Sequence, residues 1–157
     1  MGKNCFTLVH EKKKKMSNFE ELTRPVFFQP GHNAGDLVES TQWKILREDR
    51  GKVEVEAHLP SHLLNPRGQL FGGFTGTYVD MISIYTMRTL YSQENRFKWS
   101  STVNMRIDYF APVLGPSFRL IGELIKEGRS TCLISTLFCD SDGNKLVYAL
   151  TTLRKSD

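Results

Sequence analysis

The pattern of apolar and polar positions predicts two strands, then one long helix, then four more strands. Apolar residues alternate with charged or polar ones from residue 52 to residue 59, and a period of two is typical of a half-buried strand. Trp43, Ile45 and Leu46 supply the apolar residues of a preceding strand. Residues 41–59 are therefore predicted to form a hairpin, and the stretch before them a loop that contains His32.

The long helix is predicted to begin at Gly72, because no residue breaks the chain from there until Ser92. Large residues, including Phe74, Tyr78 and Ile82, recur at helical spacing along it. Gly72, Gly73 and Gly76 occupy the first turns, although a glycine in a helix interior costs about 1 kcal/mol relative to alanine. We infer that this end of the helix needs close approach to its backbone.

The small residues of the helix fall on one stripe, opposite the large apolar side chains. The stripe comprises Gly73, Gly76, Thr77, Asp80 and Ser83. Asp80 is the only acidic residue of the helix, and an unpaired carboxylate on a packed helix is costly. Asp80 is therefore either a functional group or one partner of a structural ion pair, for which Arg88 and Arg106 are the candidates.

Four strands are predicted after the helix, at about residues 101–112, 118–125, 129–139 and 145–153. In the first of these, Val103, Met105, Ile107 and Tyr109 alternate with polar residues, so we expect them on one face and Thr102 on the other. Short turns, such as the one at Asp142 and Gly143, connect neighbouring strands. Strands joined by hairpins form an antiparallel sheet, and the helix must cover its apolar face.

Composition and charge narrow the function. The 157 residues suit one domain, and 39% hydrophobic with 24% charged residues suit a globular protein. The net charge of +4 is concentrated in the lysines at positions 12–15, so we expect no nucleic-acid partner. No apolar run approaches the length of a membrane span, so we expect no membrane partner. The three cysteines form no metal-type pair. We predict reduced thiols, a cytoplasmic location, no metal and no cofactor.

The N-terminal residues differ from the rest of the chain. Residues 1–18 are predicted to be a polar, basic tail and residues 19–157 the folded domain. The start resembles a myristoylation site, but the site requires Ser or Thr where Phe6 stands. A solvated tail, or a translation start at Met16, is the preferred interpretation.

The spacing Asn65-x2-Gly68-x3-Gly72-Gly73-x6-Asp80 resembles the signature of hotdog-fold acyl-CoA thioesterases of the phenylacetate-pathway and 4-hydroxybenzoyl-CoA type. Residues 102–112, 126–130 and 140–147 also resemble segments of that family, so the similarity covers about residues 40–154. The chain departs from the pattern at Phe71, where the family commonly has His. The resemblance implies an α+β hotdog fold, in which an antiparallel β-sheet wraps around one long central helix.

The resemblance and the chemistry of the residues together give a candidate site. The Gly72 N–H, at a helix N-terminus, suits stabilisation of an oxyanion. Asp80 suits a general base or a nucleophile. Asn65 would donate through its side-chain amide or organise the loop before the helix, and the resemblance places the hydroxyl of Thr102 beside the carboxylate. The expected substrate-binding residues are Gly73, Phe71, Ser101 and Arg129.

Three functions are compatible with these residues. The first is an acyl-CoA thioesterase, whose carrier could also be acyl carrier protein. The second is a non-catalytic hotdog domain that binds acyl-CoA as a sensor. Phe71 in place of His would either narrow the substrates to aryl or fatty acyl groups or mark a catalytically weak member. The third, a hotdog dehydratase, is disfavoured because that chemistry uses a histidine and none follows Asn65.

The spacing of the candidate groups predicts a homo-oligomer, either a dimer or a dimer of dimers. Gly72 and Asp80 are eight residues apart, which is about 12 Å along a helix. Groups that act on one thioester must lie about 3 Å from the reacting atoms. We therefore expect Asn65 and Gly72 of one subunit to act with Asp80 and Thr102 of its mate.

Overall fold

The computed structural model of the chain describes residues 30–91 and 100–155. The predicted tail at residues 1–18 lies outside the described residues, and so does most of the connection that follows the long helix. The boundary between tail and domain stays a prediction.

Besides two single-turn 3-10 helices, the described residues form two α-helices and six strands. In chain order these are α1 (Asn33–Leu37), β1 (Lys44–Asp49), β2 (Lys52–His58), α2 (Gly72–Arg88), β3 (Ser100–Tyr109), β4 (Ser117–Glu127), β5 (Thr131–Cys139) and β6 (Lys145–Lys155). The order confirms the prediction of two strands, a long helix and four strands. The short helix α1 stands where a loop was expected, and His32 caps it by accepting a hydrogen bond from the Gly35 N–H at 3.1 Å.

The six strands form one antiparallel sheet in the order β1-β2-β4-β5-β6-β3. This order places β1 and β3 at the two edges, although β3 directly follows α2 in the chain. The helix covers one face of the sheet, and alternate residues of β2, β4, β5 and β6 point beneath it and are buried. The predicted antiparallel sheet under one long helix is confirmed.

Aromatic packing fixes α2 on the sheet. Tyr78 is fully buried, stacks on Trp43 with ring centroids 5.4 Å apart, and meets Phe118 edge-on at 5.2 Å. Further along the helix, a Cβ added to Gly122 of β4 would lie 2.1 Å from the Thr86 hydroxyl. Glycine at position 122 is therefore required for the helix to pack this closely on the sheet.

Ser83 was predicted on the wrong side of α2, and the apolar residues of β1 are exposed. Ile45 and Leu46 of β1 are 37% and 50% exposed, because β1 is an edge strand with an irregularity between Ile45 and Arg47. Ser83 of α2 is fully buried, and its hydroxyl lies 3.3 Å from that of Thr136 on β5. Ser83 therefore belongs to the side of the helix that faces the sheet.

The predicted alternation along β3 holds from Met105 to Tyr109, but a β-bulge interrupts it at Val103. Thr102 pairs with Leu153 while Asn104 pairs with Thr152, which leaves Val103 without a partner on β6. Leu153 is buried under α2. The extra residue therefore places Thr102 on the helix side of the sheet, where strict alternation would have excluded it.

The structure also describes two of the three cysteines and the length and apolar character of the helices. Cys132 and Cys139 lie on β5, and both are buried and free of disulfide bonds. Across residues 30–91 and 100–155, neither helix has the length and apolar character that a membrane span requires.

Candidate active site

The N-terminus of α2 presents uncapped amide groups. Phe71, the residue before the helix, is extended and has no side chain that could accept a hydrogen bond from the first turn. The Phe71 carbonyl accepts from the Phe74 N–H at 2.9 Å. Gly72 and Gly73 are exposed, and the first amides of an α-helix have no acceptor within the helix. This end of α2 thus offers free donors with a partial positive charge.

Strand β3 runs along one flank of the outward face of α2 and contacts it at three positions, each one turn apart. The Tyr109 hydroxyl donates to the Gly72 carbonyl at 3.0 Å. The Met105 sulfur lies 3.8 Å from the point that a Cβ of Gly76 would occupy. The Thr102 hydroxyl donates to the Asp80 carboxylate. These contacts with β3 fix two parts of the helix face relative to each other: the glycine end at Gly72 and the carboxylate end at Asp80.

Asp80 is half-buried and has a hydroxyl donor but no cationic partner within the described residues. Arg106, one candidate for an ion pair, instead contacts Asp108 at 3.1 Å. Arg88, the other candidate, lies two turns further along α2 and forms no salt bridge in the described structure. The structural ion pair that would have explained Asp80 without a function is therefore not observed.

Asn65 organises the loop that leads into α2. Its side-chain oxygen accepts from the backbone N–H groups of Arg67 at 2.9 Å and Gln69 at 3.1 Å. Its amide nitrogen lies 3.4 Å from the side-chain oxygen of Gln69. Of the two roles considered for Asn65, the structure shows the loop-organising one.

Two exposed aromatic rings border the glycine pair. Tyr109, which is 56% exposed, lies over Gly72, and Phe71, which is 53% exposed, lies over Gly73. Phe71 also meets Phe74 edge-on, with centroids 5.8 Å apart. The entrance to the helix N-terminus is therefore apolar and aromatic on both sides.

The packing of the described chain does not require glycine at positions 72 and 76. A Cβ at Gly72 would meet only the Tyr109 ring at 3.8–3.9 Å, and one at Gly76 would meet only the Met105 sulfur at 3.8 Å. These are ordinary van der Waals distances, whereas Gly122 has no such room. Although glycine in a helix interior is unfavourable, contacts within the described residues give no reason for glycine at either position.

The remaining predicted residues lie at different distances from this face. Ser101 pairs with Arg154 on β6 and is exposed beside Thr102. Arg129 lies in the turn between β4 and β5. That turn is at the end of the sheet next to the C-terminus of α2, where the Gly51 N–H donates to the Thr89 hydroxyl. One chain thus brings Asp80 and Thr102 together but leaves Arg129 at the opposite end from Gly72.

Sequence reasoning missed the contact of Tyr109 with Gly72. Tyr109 was expected only as one of the residues of β3 that alternate with polar ones. The phenol reaches the helix because the strand register and the bulge align the end of β3 with the start of α2. No local signal in the sequence reports that alignment.

For metals, the described residues contain no group of three His, Cys, Asp or Glu side chains that could hold an ion.

Comparisons with known proteins identify the fold. No family model matches the chain, and no curated protein matches its sequence. Among solved structures, zebrafish thioesterase superfamily member 2 superimposes with a TM-score of 0.67 at 24% identity, over 82% of this chain and 88% of that one. PaaI from the phenylacetic acid degradation operon of E. coli gives a TM-score of 0.67 at 12% identity, over 78% and 85%.

A hypothetical thioesterase from Streptococcus pneumoniae, solved with coenzyme A, gives a TM-score of 0.65 at 23% identity, over 74% of this chain and 87% of that one. Identities of this size show the fold alone. The chain has the hotdog fold, with its six-stranded antiparallel sheet around one long helix, as the motif resemblance implied. Its structural neighbours are proteins of the thioesterase superfamily.

Proposed function

We propose that the protein is an acyl-CoA thioesterase that hydrolyses a thioester to a carboxylic acid and free coenzyme A. The observation that carries the proposal is the Asp80 carboxylate, which accepts from Thr102 and has no cationic partner in the described residues. It lies on the same helix face as Gly76, where contacts within the described residues leave room for a Cβ. The coenzyme A bound to the pneumococcal neighbour supports the substrate class.

The proposed chemistry divides between the two ends of the helix face. At the glycine end, the substrate carbonyl oxygen accepts from the free amides of the first turn, which stabilise the negative charge that develops there. At the carboxylate end, Asp80 takes a proton from water, and the hydroxide attacks the carbonyl carbon. The tetrahedral intermediate then expels the coenzyme A thiolate, which is protonated as it leaves. Alternatively, Asp80 attacks directly, and water hydrolyses the resulting anhydride.

The proposed site is shared between two subunits. Gly72 and Asp80 are eight residues apart on a straight helix, about 12 Å, whereas both must act within about 3 Å of one thioester carbonyl. Two copies of α2 that cross with their outward faces together bring Gly72 of one near Asp80 of the other. The glycines permit this close approach.

The exposed edge of the sheet supports such a dimer. Among the described residues, strand β3 pairs with β6 alone and leaves its other edge open. Val103, Tyr109 and Phe110 at this edge are 61%, 56% and 60% exposed, and an open edge with apolar side chains favours association. We propose that β3 and the outward face of α2 form the dimer interface, and that a dimer of dimers is the further possibility. The predicted cytoplasmic location belongs to the same proposal.

The test is hydrolysis of a panel of acyl-CoA thioesters, with detection of the released thiol, by wild type and two variants. Asp80→Asn removes the charge of the proposed base, and kcat should fall at least about 100-fold. Asp49→Asn is the matched control, because Asp49 is an exposed carboxylate that pairs with Arg47 on β1. Its activity should equal that of wild type. Near-native turnover by Asp80→Asn would show that Asp80 is structural.

The same panel tests the non-catalytic alternative. Phe71 replaces the histidine of the resembling family, and its ring lies over Gly73 at the entrance to the donors. A wild-type protein that binds coenzyme A in a calorimeter but releases no thiol from any thioester would replace the enzyme by an acyl-CoA-binding domain.

A further inference from the structure

The glycine end of the proposed site depends on a hydrogen bond from outside the helix. Both glycines of the first turn lack side chains, and Phe71 supplies no cap. The bond from the Phe74 N–H to the Phe71 carbonyl closes this turn, while glycine itself is conformationally permissive. The Tyr109 hydroxyl, at 3.0 Å from the Gly72 carbonyl, is the side-chain contact that holds this turn from the strand side.

The bond also acts on a specific donor. The Gly72 carbonyl and the Gly73 N–H belong to the same peptide group, so electron density drawn toward the oxygen leaves the N–H more positive. Hydrogen bonds linked through a peptide group strengthen one another in this way. A phenol that donates to the Gly72 carbonyl therefore makes the Gly73 N–H a stronger donor to an oxyanion.

We propose that Tyr109 is a positioning residue, which orients and polarises the Gly73 N–H as a second oxyanion donor beside the Gly72 N–H. The inference rests on the proposed thioesterase function and extends it to a residue that the motif does not contain. The two hydroxyls of β3 then have parallel roles. Thr102 holds the carboxylate end of the helix face, and Tyr109 holds the donor end.

Tyr109→Phe tests the inference, because it keeps the ring over Gly72 and removes only the hydroxyl. We expect kcat to fall about tenfold with KM unchanged, a smaller loss than the roughly 100-fold or more that follows removal of an oxyanion donor itself. Tyr148→Phe is the matched control, since Tyr148 lies on β6 between the inward-facing Val147 and Ala149 and so points to the other face of the sheet. Its kinetics should match wild type.

A second measurement does not depend on turnover. In the ligand-free protein, the amide proton resonance of Gly73 should move upfield in Tyr109→Phe, as expected for a weaker donor, and stay in place in Tyr148→Phe. An unchanged Gly73 resonance, or an unchanged kcat in an active enzyme, would overturn the role of Tyr109. A rise in KM alone would overturn it too, since that would make Tyr109 a substrate contact.

If wild type cleaves no thioester on the panel while the Gly73 resonance moves as expected, the thioesterase proposal fails. The link from Tyr109 to the Gly73 amide is supported in that case. Failure of the thioesterase proposal and failure of the Tyr109 inference therefore give different results.

Discussion

Replacing Gly76 by alanine is expected to stabilise the isolated subunit and to weaken the dimer. Gly76 lies in the interior of α2, where alanine is favoured over glycine by about 1 kcal/mol. The new Cβ would meet only the Met105 sulfur, at an ordinary 3.8 Å, so the subunit has no clash to offset this gain. At an interface built on the glycine stripe, however, each subunit would add one methyl group.

Overpacking by a methylene-sized group costs roughly 1–3 kcal/mol. Since 1.4 kcal/mol is a factor of ten, the dimer dissociation constant should rise about tenfold or more. Sedimentation over a dilution series gives this constant. Urea unfolding at protein concentrations below the constant gives the stability of the separate subunit. Turnover per subunit should fall as the fraction of dimer falls.

Gly122→Ala is the control for this experiment. Its Cβ would lie 2.1 Å from the Thr86 hydroxyl and 3.2 Å from the Ile82 carbonyl oxygen, so it should destabilise the subunit by roughly 1–3 kcal/mol. The same substitution at two glycines thus has opposite expected signs. If Gly76→Ala destabilises the subunit as Gly122→Ala does, packing within the chain explains Gly76. If it leaves both dimer affinity and turnover unchanged, no partner approaches the stripe.

Three further predictions concern the donor end, pH and the thiols. Gly72→Pro should fold, because proline suits the first position of a helix, yet lose at least about 100-fold in kcat as its N–H is removed, whereas Gly72→Ala should lose far less. The pKa of Glu127 lies below its ordinary value of 4.5, mainly because Lys155 donates a hydrogen bond to the carboxylate. The contribution of Glu127 to stability is then present above that pH and lost as the pH falls through the lowered value. In urea unfolding at neutral pH, the free energy of unfolding of Glu127→Gln should be lower than that of wild type by at most about 1 kcal/mol. The difference should disappear in acid. Burial raises the pKa of both Cys132 and Cys139, so neither should react with a thiol reagent before the protein unfolds; rapid labelling of either would contradict their burial.

Local patterns predicted the elements of the fold, because the periods of helix and strand depend on neighbouring residues. The alternation in β2 and the spacing in α2 identified both elements and their buried sides. The predicted stripe of small residues placed Asp80 correctly on the outward face of α2, but it wrongly included Ser83. Ser83 lies at the border of the stripe, where β5 covers the helix.

The site depends on arrangements that no local pattern reports. Strict alternation placed Thr102 away from the helix, and only the family resemblance placed it beside Asp80. The structure has the two in contact because the bulge at Val103 changes the register of β3. Tyr109 was missed for a related reason, since its contact depends on where the edge strand ends relative to the helix start.

The most direct test of the shared site mixes two inactive variants. Gly72→Pro lacks the donor of one half-site and Asp80→Asn lacks the base of the other. When the two are unfolded and refolded together, half of the dimers should be mixed, each with one intact site, so activity should recover to about a quarter of wild type. Asp80→Asn mixed with Thr102→Val should gain no activity beyond the mean of the two variants measured alone, because both changes affect the same half-site. If the first mixture also stays inactive although mass spectrometry shows mixed dimers, the two subunits do not share the site.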